Sequence, residues 1–457
     1  MGVRVRNGIY SARLVIWMMI SQRRQARGTL ASSVGQLGQG RFDPLLSQCK
    51  RAREKKIGLS TGGYCQARQH LPKLLLSRRM DELVERLRSR LLESESPLPH
   101  RVYLLDGSSL QLEHEPELVP AFPPASNPHG KSHWPVVRIV VLHDLETGLA
   151  ERPCWGPLNG AKAVREQALA ERARQPLPNG PGIVGDRNFG IFSTAYGAQQ
   201  RGLGVVLRWT AVRAKSLPGR PVSRRGDYPV CWRPSRWDGG KKGPRPWPAD
   251  ASLPGRWIAG RAGRGKHQQW LYLFTTWSLP AEEVVELYGR RWRIETDLRS
   301  LQQTVRLQRI SAHSADRMEK ELLVAVMAYN LVRAIMFQAA QRAKIDPRQL
   351  SFPYACNIVL DGYPKALAAP SAQQQQQELE RIIDLVARCR LPKRTKRRSY
   401  PREVGGEAIV FLSGEGRNTK WHCALVSAFP GHATSYTSEK SRRSRLRRRS
   451  RSRVPMR

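Results

Sequence analysis

The chain has 457 residues, with 78 Lys and Arg against 37 Asp and Glu, a formal net charge of +41. A field that strong concentrates polyanions, which weighs against a small-metabolite enzyme and puts nucleic acid ahead of an anionic membrane surface as partner. A hydrophobic fraction of 40% with twelve Trp excludes a wholly disordered chain, and the length suggests about three domains at ~150 residues each.

Residues 1–98 are basic and read as helix, with apolar positions at helical spacing over 12–21 and again over 71–92, divided by Ser60-Thr61-Gly62-Gly63. Either a packing domain or a DNA-binding region fits that pattern. The run Leu14–Ile20 is seven residues, short of the ~20 that a membrane span needs, so no membrane partner is expected. From 101 the texture changes. Val102–Leu105 reads as a strand that ends in a turn at Asp106-Gly107. After a Pro-rich loop come two strands around a turn at 144–148, a helix over 161–174, and a strand ending in Asp186. A helix over 192–200 and a strand over 204–209 follow, so the pattern is a mixed α/β sheet.

Residues 211–256 hold eleven Lys and Arg against three Asp, with Trp232, Trp237 and Trp247 interleaved among Pro and Gly. They read as an irregular, β-leaning insertion, either a solvated excursion or a surface for stacking and phosphate contact on opened DNA ends. Strand-like alternation returns over 257–277. Long helices are expected over 281–308 and 315–343, and a further one over 378–389. Beyond 394 the chain is basic and aperiodic. The seven cysteines are scattered and form no C-x-x-C pair, which fits neither a zinc module nor a disulfide framework and favours a reducing intracellular compartment.

Three patterns carry possible chemistry. GRAGRGK at 260–266 has the glycine and lysine spacing of a phosphate loop, but His267 stands where magnesium ligation needs Ser or Thr, and no helix follows. None of the ten His has Arg three residues later, which removes a tyrosine recombinase. The third pattern is a set of carboxylates: Asp106 and Asp186 close two core strands, on the edge where open α/β sheets collect functional groups. Taken singly, an Asp after a strand is more often turn chemistry. The segment from Tyr288 adds weight. On a continuous helix Tyr288, Arg291, Glu295 and Gln302 fall within one sector of about 60°, beside a separate apolar stripe. An ordinary surface ion pair between Arg291 and Glu295 would give the same i, i+4 spacing. Three converging carboxylates suit two divalent cations of the kind that activate an attacking oxygen and stabilise the leaving oxygen of a phosphodiester.

With Tyr288, Arg291, Trp292 and Glu295, and with the blocks LLDGSSL around Asp106 and VGDRNFG around Asp186, the sequence resembles the DDE transposases of bacterial insertion sequences that carry a Tyr-Arg-Glu-Lys signature. The resemblance covers roughly 55–400 and is most specific at the Tyr-Arg-Glu block. It implies an α/β fold whose ribonuclease-H-like mixed-sheet core spans 99–345 and is interrupted by a β-rich insertion at about 211–279. A helical, basic, DNA-binding region at 1–98 would precede that core. A helical region at 346–395 and a basic, disordered tail at 396–457 would follow. By the same resemblance Asp106, Asp186 and Glu295 would be catalytic and hold two Mg²⁺ ions, with Mn²⁺ as a substitute. Tyr288, Arg291, Trp292, Arg299 and Gln302 would contact DNA. The partners implied are double-stranded DNA, as terminal inverted repeats and target, and a second copy of the chain in the synaptic complex, in a cytoplasmic, nucleoid-associated bacterial protein. Two departures bear on whether this copy is active: Gln302 replaces the signature's Lys, and the tail is unlike the family's short basic ending. A non-catalytic nucleic-acid-binding protein with an Arg/Ser-rich tail is the alternative.

Overall fold

The computed structural model describes residues 9–23, 28–46, 49–54, 56–91, 101–128, 130–216, 226–235, 238, 247–262, 269–308 and 310–392. The tail expected at 396–457, Trp237 and most of the 260–266 segment lie outside them. The N-terminal region is helical: α1 (Ala12–Gln22), α2 (Leu30–Gly38), α3 (Lys50–Arg53), α4 (Thr61–His70) and α5 (Lys73–Leu91). Ser11, Thr29 and Ser60 start three of them, each side chain accepting a backbone N–H of the first turn.

The sheet strands and their connections follow as β1 (Val102–Gln111), α6 (Leu118–Ala121), a small hairpin of β2 (Ser126–Asn127) and β3 (Gly130–Lys131), β4 (Val136–Asp144) and β5 (Cys154–Pro157). Next come α7 (Glu166–Arg174), β6 (Gly182–Gly185), α8 (Phe192–Gln199), β7 (Gly204–Arg208), α9 (Ala211–Lys215), β8 (Gly226–Trp232), β9 (Leu253–Ala262) and β10 (Gln269–Thr275). The chain then runs through α10 (Ala281–Gly289), α11 (Trp292–Arg299), α12 (Ala315–Ala343), α13 (Phe352–Ala368) and α14 (Ala372–Ala387).

Eight strands form one mixed sheet in the order β5-β4-β1-β6-β7-β10-β9-β8. β4 is antiparallel to β1 and β5 to β4, while β6 and β7 run parallel to β1. The basic segment after β7 therefore extends the same sheet by three antiparallel strands. β8 forms the outer edge, with Pro229 opposite Arg256 in its middle.

Alternation along β1 explains the two layers. Val102, Leu104 and Leu110 join Val137, Ile139 and Val141 in the larger core with α1, α5 and α12; Tyr103 and Leu105 join Val140 and Leu142 against α7 and α8. Both faces are covered, so the central strands read as nearly continuous apolar runs. α12 is long and apolar enough by composition to cross a membrane, but 89% of its most apolar window is buried inside the protein. Glu321 of α12 is 2% exposed and ion-pairs Arg23 and Arg68 at 2.7 and 2.6 Å, tying the N-terminal helices to this core helix.

Two elements differ from the sequence expectation. The first strand does not end at Asp106: β1 continues through Gly107-Ser108-Ser109 because nine residues of β4 pair with it without interruption. The helix expected over 281–308 is also broken. α10 stops at Gly289, the weakest helix former there, and α11 begins after Arg291. A π-helical turn over Ser300–Thr304 follows and ends before Arg306, whose φ is +59°.

Candidate active site

The parallel register of β1 and β6 runs to Leu105 beside Gly185, so Asp106 is the next residue of β1 and Asp186 the first residue after β6. Adjacent strands thus deliver the two carboxylates side by side. Asp186 caps its own turn, with Oδ1 accepting from the Asn188 N–H at 2.8 Å. Asp106 Oδ1 accepts from the Gly107 N–H at 2.8 Å. Burial pushes the Asp106 carboxyl up to about 7; the Gly107 N–H and Arg291 oppose the shift, and the charges of Asp186 and Glu166 reinforce it.

Asp106 and Ser108 share the β1 face that meets α11. There Arg291, 8% exposed, reaches Glu295 Oε1 through Nη2 at 3.1 Å and stands 4.0 Å from Asp106 Oδ2 through Nη1. The guanidinium also lies over the Trp292 ring at 5.2 Å, and that indole is 61% exposed. Tyr288 is buried, and burial raises its hydroxyl pKa against Arg291 and Arg208 nearby. Gln302 is buried too and donates from Nε2 to Ser108 Oγ at 2.5 Å, so its amide faces β1. Arg299 is exposed at the end of α11. The break and the π turn therefore leave Arg291, Glu295 and Gln302 on the side that faces β1, while Trp292 and Arg299 face outward.

Among the described residues no three His, Cys, Asp or Glu side chains form a group that could hold a metal ion. The aspartates are together; Glu295 is turned onto Arg291. Carboxylate oxygen is the donor type that a hard divalent cation takes, but the side chains do not converge on one point as they stand.

Sequence reading missed two further features. Glu166, in the first turn of α7, accepts from Asn188 Nδ2 through Oε2 at 2.5 Å. Its carboxyl is raised by burial and by Asp186, with Arg138 opposing. Nothing in the spacing of residue 166 marks it; only the folded contact does. Asp297, fully buried on α11, is held by Arg333 Nη2 and, at 2.8 Å, by Arg348 Nη2, which fixes the helix that carries Glu295 against α12. Its position two residues after Glu295 was a signal, though not of its partners. Beside Asp186, a groove of about 420 Å³ is lined by Arg187, Arg208, Lys215, Trp270 and Tyr272, where the basic and aromatic residues of the insertion meet β7.

A family described as "Transposase DDE domain" matches residues 97–331. The transposase InsG for insertion sequence element IS4 of Escherichia coli (strain K12) is 24% identical over 335 residues, covering 69% of this chain and 71% of InsG. Of solved structures, the piggyBac transposase synaptic complex with hairpin DNA aligns with a TM-score of 0.38 and 13% identity over 88% of this chain and 79% of that one, a similarity too low to define a common fold.

Proposed function

We propose that this chain, which belongs to the DDE-domain transposase family and is of the IS4 type, cuts DNA at insertion-sequence ends and joins the freed 3′-OH to target DNA with Mg²⁺ as cofactor. The observation that carries the reading is the pair Asp106 and Asp186, each directly following the last pair of one parallel register, with Arg291 spanning from Asp106 to Glu295. The order β5-β4-β1-β6-β7, with β4 alone running against the other four strands, supports a ribonuclease-H-like core. Asp106, Asp186 and Glu295 would hold two ions. When bound, the cations supply charge for the phosphodiester and lower the barrier to in-line attack.

The chain's own groups do the rest. Arg291 is suited to bidentate phosphate contact, and engaging an end phosphate would release Glu295 toward the aspartates. Tyr288 lies buried near Arg291, and exposed Trp292 and Arg299 extend the contact along the end. Gln302 supports Ser108 from behind. The basic, aromatic groove beside Asp186 suits an opened strand. Two ends brought together imply two copies of the chain in the working complex. Pairing of Glu295 with Arg291 also favours, as second reading, a nucleic-acid-binding protein that does not cut.

Glu295→Ala separates the two. It should abolish Mg²⁺-dependent nicking of a labelled terminal repeat and leave end binding intact. Cleavage that survives the substitution overturns the assignment, and a wild-type chain that binds ends without nicking in Mg²⁺ establishes the second reading.

A further inference from the structure

The helix α4 has two unlike sides. On one, Tyr64 is buried and its hydroxyl donates to Gln22 Oε1 at 2.8 Å, while Arg68 pairs with Glu321 of α12 at 2.6 Å. Lys320 of α12 donates from Nζ to the Arg68 and Gln69 carbonyls at 3.2 and 2.7 Å, so this side is fixed to α1 and α12. At 100° per residue, Gly62, Gly63, Gln66, Gln69 and His70 fall in a sector of about 120° on the other side. All five are exposed. Glycine weakens a helix, and packing accounts for only one of the two: a Cβ at Gly63 would meet the Tyr10 ring at 3.0 Å, whereas at Gly62 it would meet the Ser60 hydroxyl at an ordinary 3.6 Å. The outer face carries neither a carboxylate nor an apolar side chain. The segment before it is basic, with Lys50, Arg51, Arg53 and Lys56 exposed and Glu54 the one acidic residue between 49 and 72.

We propose that α4 enters the major groove of duplex DNA and reads adenines with the Gln66 and Gln69 amides, while Arg51 and Arg53 hold flanking phosphates. The major groove admits a helix, and a glutamine amide offers the donor and acceptor that match adenine N7 and N6 together. The bare surface at Gly62 lets the first turn lie close against the groove wall, and the basic segment complements the phosphate charge. The proposal rests on the reading that this chain recognises insertion-sequence ends, and it names the element that does so.

The test is selection of bound duplexes by the full chain from a random-sequence duplex library, followed by sequencing and gel-shift titration of the selected duplex. Wild type should select a motif containing adenines. Gln66→Ala and Gln69→Ala should each relax one of them, cutting the preference at that position about tenfold. Both side chains are exposed and alanine favours a helix, so the fold is kept. Gln66→Arg should change the preferred base at its position from adenine to guanine, a switch that no structural role produces. Arg51→Ala combined with Arg53→Ala should instead weaken selected and unselected duplexes alike and flatten the salt dependence. If the glutamine variants select the wild-type motif with unchanged preference, the α4 assignment is overturned and end recognition stands on another surface. If wild type itself selects no motif, recognition of ends falls, and the α4 assignment with it.

Discussion

Replacing Asp106 by Asn removes a charge that the fold accommodates poorly. The Asp106 side chain is 21% exposed, and its carboxyl is displaced from 3.8 to about 7, first of all by burial. A displacement of that size corresponds to roughly 4 kcal/mol between the two protonation states. The folded chain holds this proton more tightly than the unfolded chain does. The resulting stability is fully present below about pH 4 and is lost as pH rises to about 7. An amide of the same shape carries no such dependence. Asp106→Asn should therefore match wild type near pH 4 and exceed it by roughly 4 kcal/mol at pH 8. Urea unfolding at both pH values in EDTA measures the difference. With Mg²⁺ added at pH 8, wild type should recover stability by mass action and the variant should not. A variant less stable than wild type at pH 8, or one whose advantage is equal at both pH values, refutes the reasoning.

Asp297→Asn should cost about 3–5 kcal/mol in urea unfolding, because it leaves Arg333 and Arg348 without their shared counter-charge in a buried site. Despite burial, those two guanidiniums hold the Asp297 carboxyl below its usual range. Its contribution is thus present above about pH 4 and lost on further acidification; a loss under ~1 kcal/mol at pH 7 would refute the role. Trp292→Ala should change stability by less than ~1 kcal/mol, since the ring is 61% exposed and lies under the Arg291 guanidinium, yet weaken terminal-repeat binding severalfold in a gel-shift titration. Unchanged affinity would remove Trp292 from the DNA contact.

Asp186 and the Tyr-Arg-Glu segment stand out in the sequence because each sits at a boundary that local chemistry marks: a strand running into Asp-Arg-Asn, and an amphipathic stretch with a charged sector. Asp106 was misplaced for a related reason. Asp-Gly reads as a turn, but pairing with β4 overrides that local preference, and Gly107 serves close approach instead. The broken helix escaped notice because its apolar spacing persists across Gly289 and the π turn. Glu166 and the partners of Asp297 were not legible at all. Their meaning lies in neighbours 20 to 60 residues away, which no periodicity encodes.

Pro229, in the middle of an edge strand, bears on how such a basic protein behaves at high concentration. Among the described residues β8 has β9 on one side and no strand on the other, and the proline in its middle has no backbone N–H to lend to a ladder. A proline in an edge strand weakens recruitment of a further strand there, which sets that edge against sheet-to-sheet growth when chains crowd on a polyanion.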